Sequence, residues 1–262
     1  MILAQLTDTH VLEDGETQFI DNNQMLALAI ESLNNEYPRP EAVIGTGDLT
    51  NWAKPGQYHR LAALLEGLEI PFLPMVGNHD DRAMMKQTFP NAPWADAEHA
   101  SWITDVGHVT VIGLDSTIPG ALGAAFDDGR AAWLTAALAS TSDPVVLALH
   151  HPPFETGVRW MDAAGFEGVD DLRAIVTEHS ERIVRILCGH FHRPLVATFA
   201  GVTTSIGLAS VHHVGLDLHP EAKPSVIVDP RGYQLHRIDG SDVVTHTRYI
   251  DRQEQAFDPG WD

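Results

Sequence analysis

The chain is short of three things. It has one cysteine, Cys188, in 262 residues, so it cannot close a disulfide on itself or build a cysteine metal cage. It is poor in cations: 16 Lys and Arg stand against 36 Asp and Glu, a formal net charge of -20. Such a chain lacks the basic footprint that dominates affinity for nucleic acid, and an anionic membrane surface repels it. It also has no apolar run near the roughly 18 residues that a membrane span requires. The first ten residues carry neither a basic segment nor a small-residue cleavage site and enter a strand-like run at once, so a soluble, cytoplasmic protein is expected. The rest is ordinary for a globular chain, with 44% hydrophobic and 20% charged residues. The length suits one α/β domain of about 250 residues, able to bury a sizeable core. Histidine is the surplus, with 15 residues.

Short apolar runs alternate with helical patterns. Strands are expected at 2–7, 42–45, 72–76, 145–149 and 183–188, and a hairpin at 103–105 and 109–114 around Gly107. Asp21 is placed to cap a helix with Met25, Leu26, Ala29, Ile30 and Leu33 on one face, and Pro55 suits the first turn of another. Further helices are expected at 83–89, 129–139 and 170–179. Stretches 91–96 and 118–129 read as surface loops. The last third, from about 195 to 262, is β-rich. With no linker or repeat, residues 1–262 form one mixed α/β layered domain.

Polar clusters sit at the ends of five of these runs. They are Asp8-Thr9-His10, Gly47-Asp48, Gly77-Asn78-His79-Asp80, His150-His151-Pro152-Pro153 and Gly189-His190-Phe191-His192. Ligands of α/β sheets bind beyond the carboxyl ends of strands, so these clusters are expected to converge. Imidazole with carboxylate is the donor set of Zn, Fe and Mn sites. The i, i+2 spacing of Asp8 with His10, and of His190 with His192, lets two side chains reach one region from a turn.

In order and residue type these blocks resemble those of the calcineurin-like metallophosphoesterases, over Asp8 to His192. Within that superfamily the chain resembles bacterial class III cyclic nucleotide phosphodiesterases and glycerophosphodiesterases. The segments that carry this are Phe19-Ile20-Asp21, Gly47-Asp48-Leu49-Thr50-Asn51, Gly77 to Asp81, His150 to Pro153 and Cys188-Gly189-His190. The resemblance implies a four-layer α/β/β/α sandwich with two divalent metal ions (Fe, Mn, Zn or Co) at the strand ends. One would take Asp8, His10, Asp48 and His192, and the other Asp48, Asn78, His150 and His190. Asp48 would bridge, since a carboxylate can offer two oxygens to two cations. Such a pair can clamp an in-line displacement at phosphorus, with a bridging hydroxide as nucleophile. A small phosphodiester, either a 3′,5′-cyclic nucleotide or a glycerophosphodiester, is then the expected substrate. The alternatives are a phosphomonoesterase on the same site and a non-catalytic binding scaffold of this fold. The acidic balance makes long nucleic acid a poor substrate.

The resemblance makes His79 the candidate for contacting the phosphate or protonating the leaving oxygen. Asp80 either orients His79 or caps the following helix. Asn78, Asn51 and His212 are candidate substrate contacts, with a turn role the alternative for Asn51 and a loop role for His212. His151, one residue beyond a ligand, is expected to point away from the site. Trp52 and Trp160 lie near site loops, where packing is expected over stacking on a base. Burial in its strand makes Cys188 a packing residue. In relatives the β-rich tail serves assembly, so a homo-dimer or higher homo-oligomer is expected.

Overall fold

The computed structural model describes residues 1–15, 20–95, 97–228 and 230–250. Phe19 and Asp96, on which some expectations rest, lie outside these, as do residues 251–262 of the β-rich last third. The first part alternates strand and helix: β1 (Ile2–Leu6), α1 (Asn22–Asn34), β2 (Ala42–Gly45), α2 (Pro55–Leu65), β3 (Phe72–Pro74) and α3 (Arg82–Thr88). The hairpin β4 (Trp102–Val106) and β5 (Val109–Leu114) follows. A second alternation runs through β6 (Ala124–Ala125), α4 (Asp128–Ala139), β7 (Val145–Leu149), α5 (Arg159–Asp162), β8 (Phe166–Glu167), α6 (Val169–Glu178) and β9 (Ile183–Cys188). The chain closes with β10 (Leu195–Phe199), β11 (Val202–Ile206), β12 (His213–Val214), β13 (Val226–Ile227), β14 (Gly232–Asp239) and β15 (Asp242–Tyr249).

Two main sheets result, ordered β15-β14-β1-β2-β3 and β10-β11-β9-β7-β5-β4. The β-rich last part therefore completes both sheets: β14 pairs with β1, and β11 with β9. The period of two along each strand assigns side chains to layers. On β7, Val146 and Ala148 join Leu3, Ile44 and Leu187 in the core between the sheets. The alternate residues Val145, Leu147 and Leu149 pack with Leu134 and Leu138 of α4 and Leu172 and Val176 of α6. On the other sheet, Ala4, Leu6 and Val43 face Leu26, Ala29 and Leu33 of α1 and Leu61 of α2. The molecule is thus helix, sheet, sheet, helix. Burial on both faces explains why these strands read as continuous apolar runs rather than alternating ones.

The helix signals act as expected. The Asp21 side chain accepts from Gln24 N at 3.0 Å, satisfying one orphan donor of the first turn, and Asp127 does the same for Arg130 N at 2.9 Å. Residues 118–129 depart from the expected surface loop. Ala124 and Phe126 are buried, and β6 pairs in parallel with β8. Two-residue strands are too short to show a period, so β6, β8 and β12, with the single-turn α5, leave no signal.

A buried glutamine crosses between the sheets. Gln5 of β1 is wholly buried, and its amide donates to Thr46 Oγ1 at 3.0 Å and to the Cys188 carbonyl of β9 at 2.8 Å. Its oxygen lies 3.1 Å from His236 Nε2 of β14. Thr46 and Cys188 directly precede two of the polar clusters, so Gln5 fixes their relative height.

Candidate metal centre

The five clusters follow β1, β2 and β3 in one sheet and β7 and β9 in the other. They meet because the two sheets lie face to face with these strand ends at a common rim. The chain turns sharply there. Asp8, His10, Asp48, His190 and His192 all have positive φ, between 43° and 69°. Such backbone costs on the order of 1–3 kcal/mol per non-glycine residue and persists only where its surroundings over-determine it. Here the ladder continues past the strands. Asp8 N donates to Gly47 O at 3.1 Å, His10 N to Asp48 O at 3.0 Å and Val11 N to Leu49 O at 3.0 Å. Gly77 has a different reason to be glycine, since a Cβ there would sit 2.8 Å from Asp48 Cγ and closer still to its Oδ1 and amide.

Donor atoms of Asp8, His10, Asp48 and His192 lie within 4.8 Å of one another, and all four residues are buried. The tautomers are set from behind. His192 Nδ1 donates to the His212 carbonyl at 2.9 Å, and His10 Nδ1 donates to Asn51 Oδ1 at 2.9 Å. Both rings therefore turn Nε2 lone pairs inward, and these two atoms stand 3.1 Å apart. Two acceptors facing each other in a dry site have no proton to share, which is the arrangement of ligands around a cation. Beside them, Asp8 Oδ1 lies 3.5 Å from His192 Nε2 and accepts from His190 N at 3.0 Å.

A second group adjoins the first. His150 Nδ1 donates to the Thr46 carbonyl at 2.8 Å. Its Nε2 faces Asn78 Oδ1 at 3.2 Å and Asp48 Oδ2 at 3.3 Å. His190 Nδ1 reaches the same Asn78 oxygen at 2.8 Å. Asp48 joins the two groups through one atom: Oδ2 is 3.8 Å from His10 Nε2 as well as 3.3 Å from His150 Nε2. Its Oδ1 accepts from His79 N at 2.8 Å. Oδ2 thus faces both groups, while Oδ1 is anchored on backbone.

The electrostatics match. Burial holds His10 well below its ordinary value, His190 at about 3 and His192 at about 4, with neighbouring rings adding to the effect on His10 and His190. These imidazoles stay neutral, as ligands must be. Burial pushes the Asp8 carboxyl up to about 7. Burial also opposes charge on Asp48 and on His150. Their mutual attraction overcomes it, holding Asp48 well below the carboxylate range and raising His150 to about 9. A divalent cation fits this donor set and would supply the positive charge that Asp48 attracts.

Other candidates sit around this core. His79 is half-buried, and its Nδ1 donates to the Asn51 carbonyl at 2.7 Å. Asp80 does not supply that bond. Its carboxylate accepts from Leu49 N, Thr50 N, Thr50 Oγ1 and Gly77 N at 2.9–3.0 Å, locking the loops after β2 and β3 together. The helix cap falls to Asp81, which accepts from Met84 N at 2.8 Å. Asn51 spends its side-chain oxygen on His10 and its carbonyl on His79. The His212 ring lies against His192, with centroids 4.6 Å apart. His151 is not turned away as expected, because its ring lies 4.6 Å from that of His190. Both its nitrogens are engaged, Nδ1 with Ser116 Oγ at 2.9 Å and Nε2 with the Leu122 carbonyl at 3.2 Å. Sequence reading missed Gln5, Thr46 and Asn22, whose Nδ2 donates to the His10 carbonyl at 2.7 Å. They support the site through contacts distant in sequence, for which no local pattern exists.

A family model described as calcineurin-like phosphoesterase matches residues 1–194. A probable glycerophosphodiester phosphodiesterase of Arcobacter nitrofigilis is 30% identical over 98% of this chain and 96% of its own. A probable cyclic nucleotide phosphodiesterase of Rhodopseudomonas palustris is 30% identical over 94% of this chain and 91% of its own. A purple acid phosphatase from yellow lupin superposes with a TM-score of 0.68 at 13% identity, covering 98% of this chain and 52% of that one, a likeness of fold. Among the described residues no helix is long and apolar enough to cross a membrane.

Proposed function

The chain belongs to the calcineurin-like phosphoesterase family, and from that premise we propose that it is a metal-dependent phosphodiesterase acting on small phosphodiesters, cyclic nucleotides or glycerophosphodiesters. The observation that carries the reading is Asp48 Oδ2, which faces both donor groups at once. Two divalent ions would be held here, one by Asp8, His10, Asp48 and His192, the other by Asp48, Asn78, His150 and His190. When bound, they supply Lewis acidity at phosphorus, charge neutralisation and a lowered pKa for the attacking water.

The chain's own residues do the rest. Asn51 orders two rings at once, since one residue fixes His10 through its side chain and His79 through its carbonyl. With Nδ1 committed to that carbonyl, His79 has Nε2 free. In the imidazolium form Nε2–H donates to the leaving oxygen, and in the neutral form the same atom accepts a proton back. Asp80 holds the two loops that carry Asp48 and His79 in register. His212 flanks His10 and His192 with its ring and forms a wall of the site toward substrate. Assembly of copies would use the outer edge of β15, where Val244 and Tyr249 are exposed, and sedimentation velocity reads it.

The test is the manganese-loaded protein on bis(p-nitrophenyl) phosphate and p-nitrophenyl phosphate. A higher kcat/KM for the diester is expected. A strong preference for the monoester overturns the assignment, and no turnover with metal bound would favour a binding scaffold.

A further inference from the structure

Near the centre, one tryptophan, Trp52, is left in the open. It is 62% exposed, whereas Trp160 packs against the core beneath β7 and β9. An exposed tryptophan alone is common, but this one lines a cavity of ≈ 520 Å³ whose wall also contains Asn78 and His79. Its indole stands 5.9 Å from the His79 ring at 56°. Ile118 and Leu122 line the same cavity, and Leu122 is likewise 65% exposed. The cavity thus lies between the loop after β2 and the loop after β5, next to where a leaving group would depart.

Both loops are braced. Trp52 N donates to the side chain of buried Gln57 at 2.8 Å, Ala53 takes a left-handed turn with φ 50°, and Pro55 begins α2. Across the cavity, Thr117 O accepts from Arg82 at 2.6 Å and Leu122 O from His151 at 3.2 Å. The indole is therefore presented at low entropic cost, which favours binding. Charge is not on offer. Arg82 lines the cavity, but its guanidinium is paired with Asp115 at 2.6 Å. Asp80 and Asp81 line it too, with carboxylates spent on the backbone contacts described above. A cationic head group calls for an aromatic cage, whereas Trp52 is the sole aromatic side chain here besides His79. A lone planar π-surface facing apolar walls suits a neutral planar ring.

We propose that Trp52 is the stacking platform for a nucleobase carried by the phosphodiester, which selects nucleotides over glycerophosphodiesters. The inference rests on the phosphodiesterase reading above. Its test compares wild type, Trp52→Ala and Trp52→Phe, manganese-loaded, on cyclic AMP and glycerophosphocholine, with calorimetric titration of AMP alongside. The ratio of kcat/KM for cyclic AMP to that for glycerophosphocholine is expected to fall about tenfold or more in Trp52→Ala, because base stacking on an aromatic side chain is worth that much. AMP should weaken by a similar factor, and Trp52→Phe should recover most of both. A ratio within about twofold of wild type overturns the proposal, as does a rise, which would mark a cationic head group as the occupant. If wild type hydrolyses neither substrate, the phosphodiesterase reading fails by itself. The AMP titration still decides the platform, and equal AMP affinity in wild type and Trp52→Ala refutes it.

Discussion

Replacing Gly77 with alanine probes the site through one methyl group. The added Cβ would lie 2.8 Å from Asp48 Cγ and nearer still to the Asp48 amide, against about 3.5–4.0 Å for an ordinary carbon contact. The shortfall is about 1 Å. The Asp48 side chain cannot swing clear, since Oδ1 is held by His79 N at 2.8 Å, so the loops after β2 and β3 must part by that amount. Overpacking of this kind costs about 1–3 kcal/mol, or about 3–10 °C in melting temperature for a chain of this size. The catalytic penalty should be larger, because a 1 Å misplacement costs about 10²-fold in rate. Calorimetry, metal analysis after gel filtration and kcat/KM on bis(p-nitrophenyl) phosphate read the three effects. Gly129→Ala is the control. Near the start of α4 its Cβ meets only the Asp127 carboxylate, at 3.4 Å, and the change should stabilise by about 0.4–1 kcal/mol. If Gly77→Ala kept its metal and its kcat/KM within about twofold, the close approach of the two loops would not be what places Asp48.

Three further outcomes follow from the geometry. Asn51→Leu removes the acceptor that orients His10, so metal affinity should fall about 10–100-fold, read by competition with a chelating dye; unchanged affinity would show that the tautomer is set elsewhere. His79→Ala should retain its metal content but lose about 10²–10⁴-fold in kcat, and joint loss of metal would make it a structural support. His236 is wholly buried, and burial, with the Arg185 charge adding, holds it down to about 3. Above pH 6.5 both folded and unfolded forms are neutral there, so it contributes nothing. Below 6.5 the unfolded chain takes a proton that the folded one refuses, and stability falls by about 1.4 kcal/mol per pH unit. His236→Gln should therefore lose less stability between pH 6 and 4 in urea titrations, and an unchanged slope would contradict the burial argument.

The parts of this molecule legible in its sequence are those written in local pattern. Asp21 and its apolar partners specified α1, because a cap and a 3.6-residue stripe are contiguous signals. The runs at 42–45, 145–149 and 183–188 specified β2, β7 and β9 to the residue, because strands buried on both faces are uniformly apolar. The polar residues that meet at the rim were equally readable, since each follows a strand within a few residues. Asp80 and His151 were not. The Asp80 side chain could be placed near the site from sequence and the His151 side chain was expected to point away, but what each touches depends on loops 30 or more positions away.

The chemistry was thus determined by the sequence alone: which donors exist, in what order, and that their histidine surplus has a purpose. The tertiary structure decided the electrostatics. Packing one sheet on the other brings five strand-end loops together and turns imidazole Nε2 atoms upon one another, with the Nδ1 protons of His10, His150 and His192 spent on Asn51, Thr46 and His212. It also left Trp52 uncovered beside His79 while burying other aromatic residues. Exposure is a property of what the rest of the chain fails to cover, and no local pattern of residues encodes it.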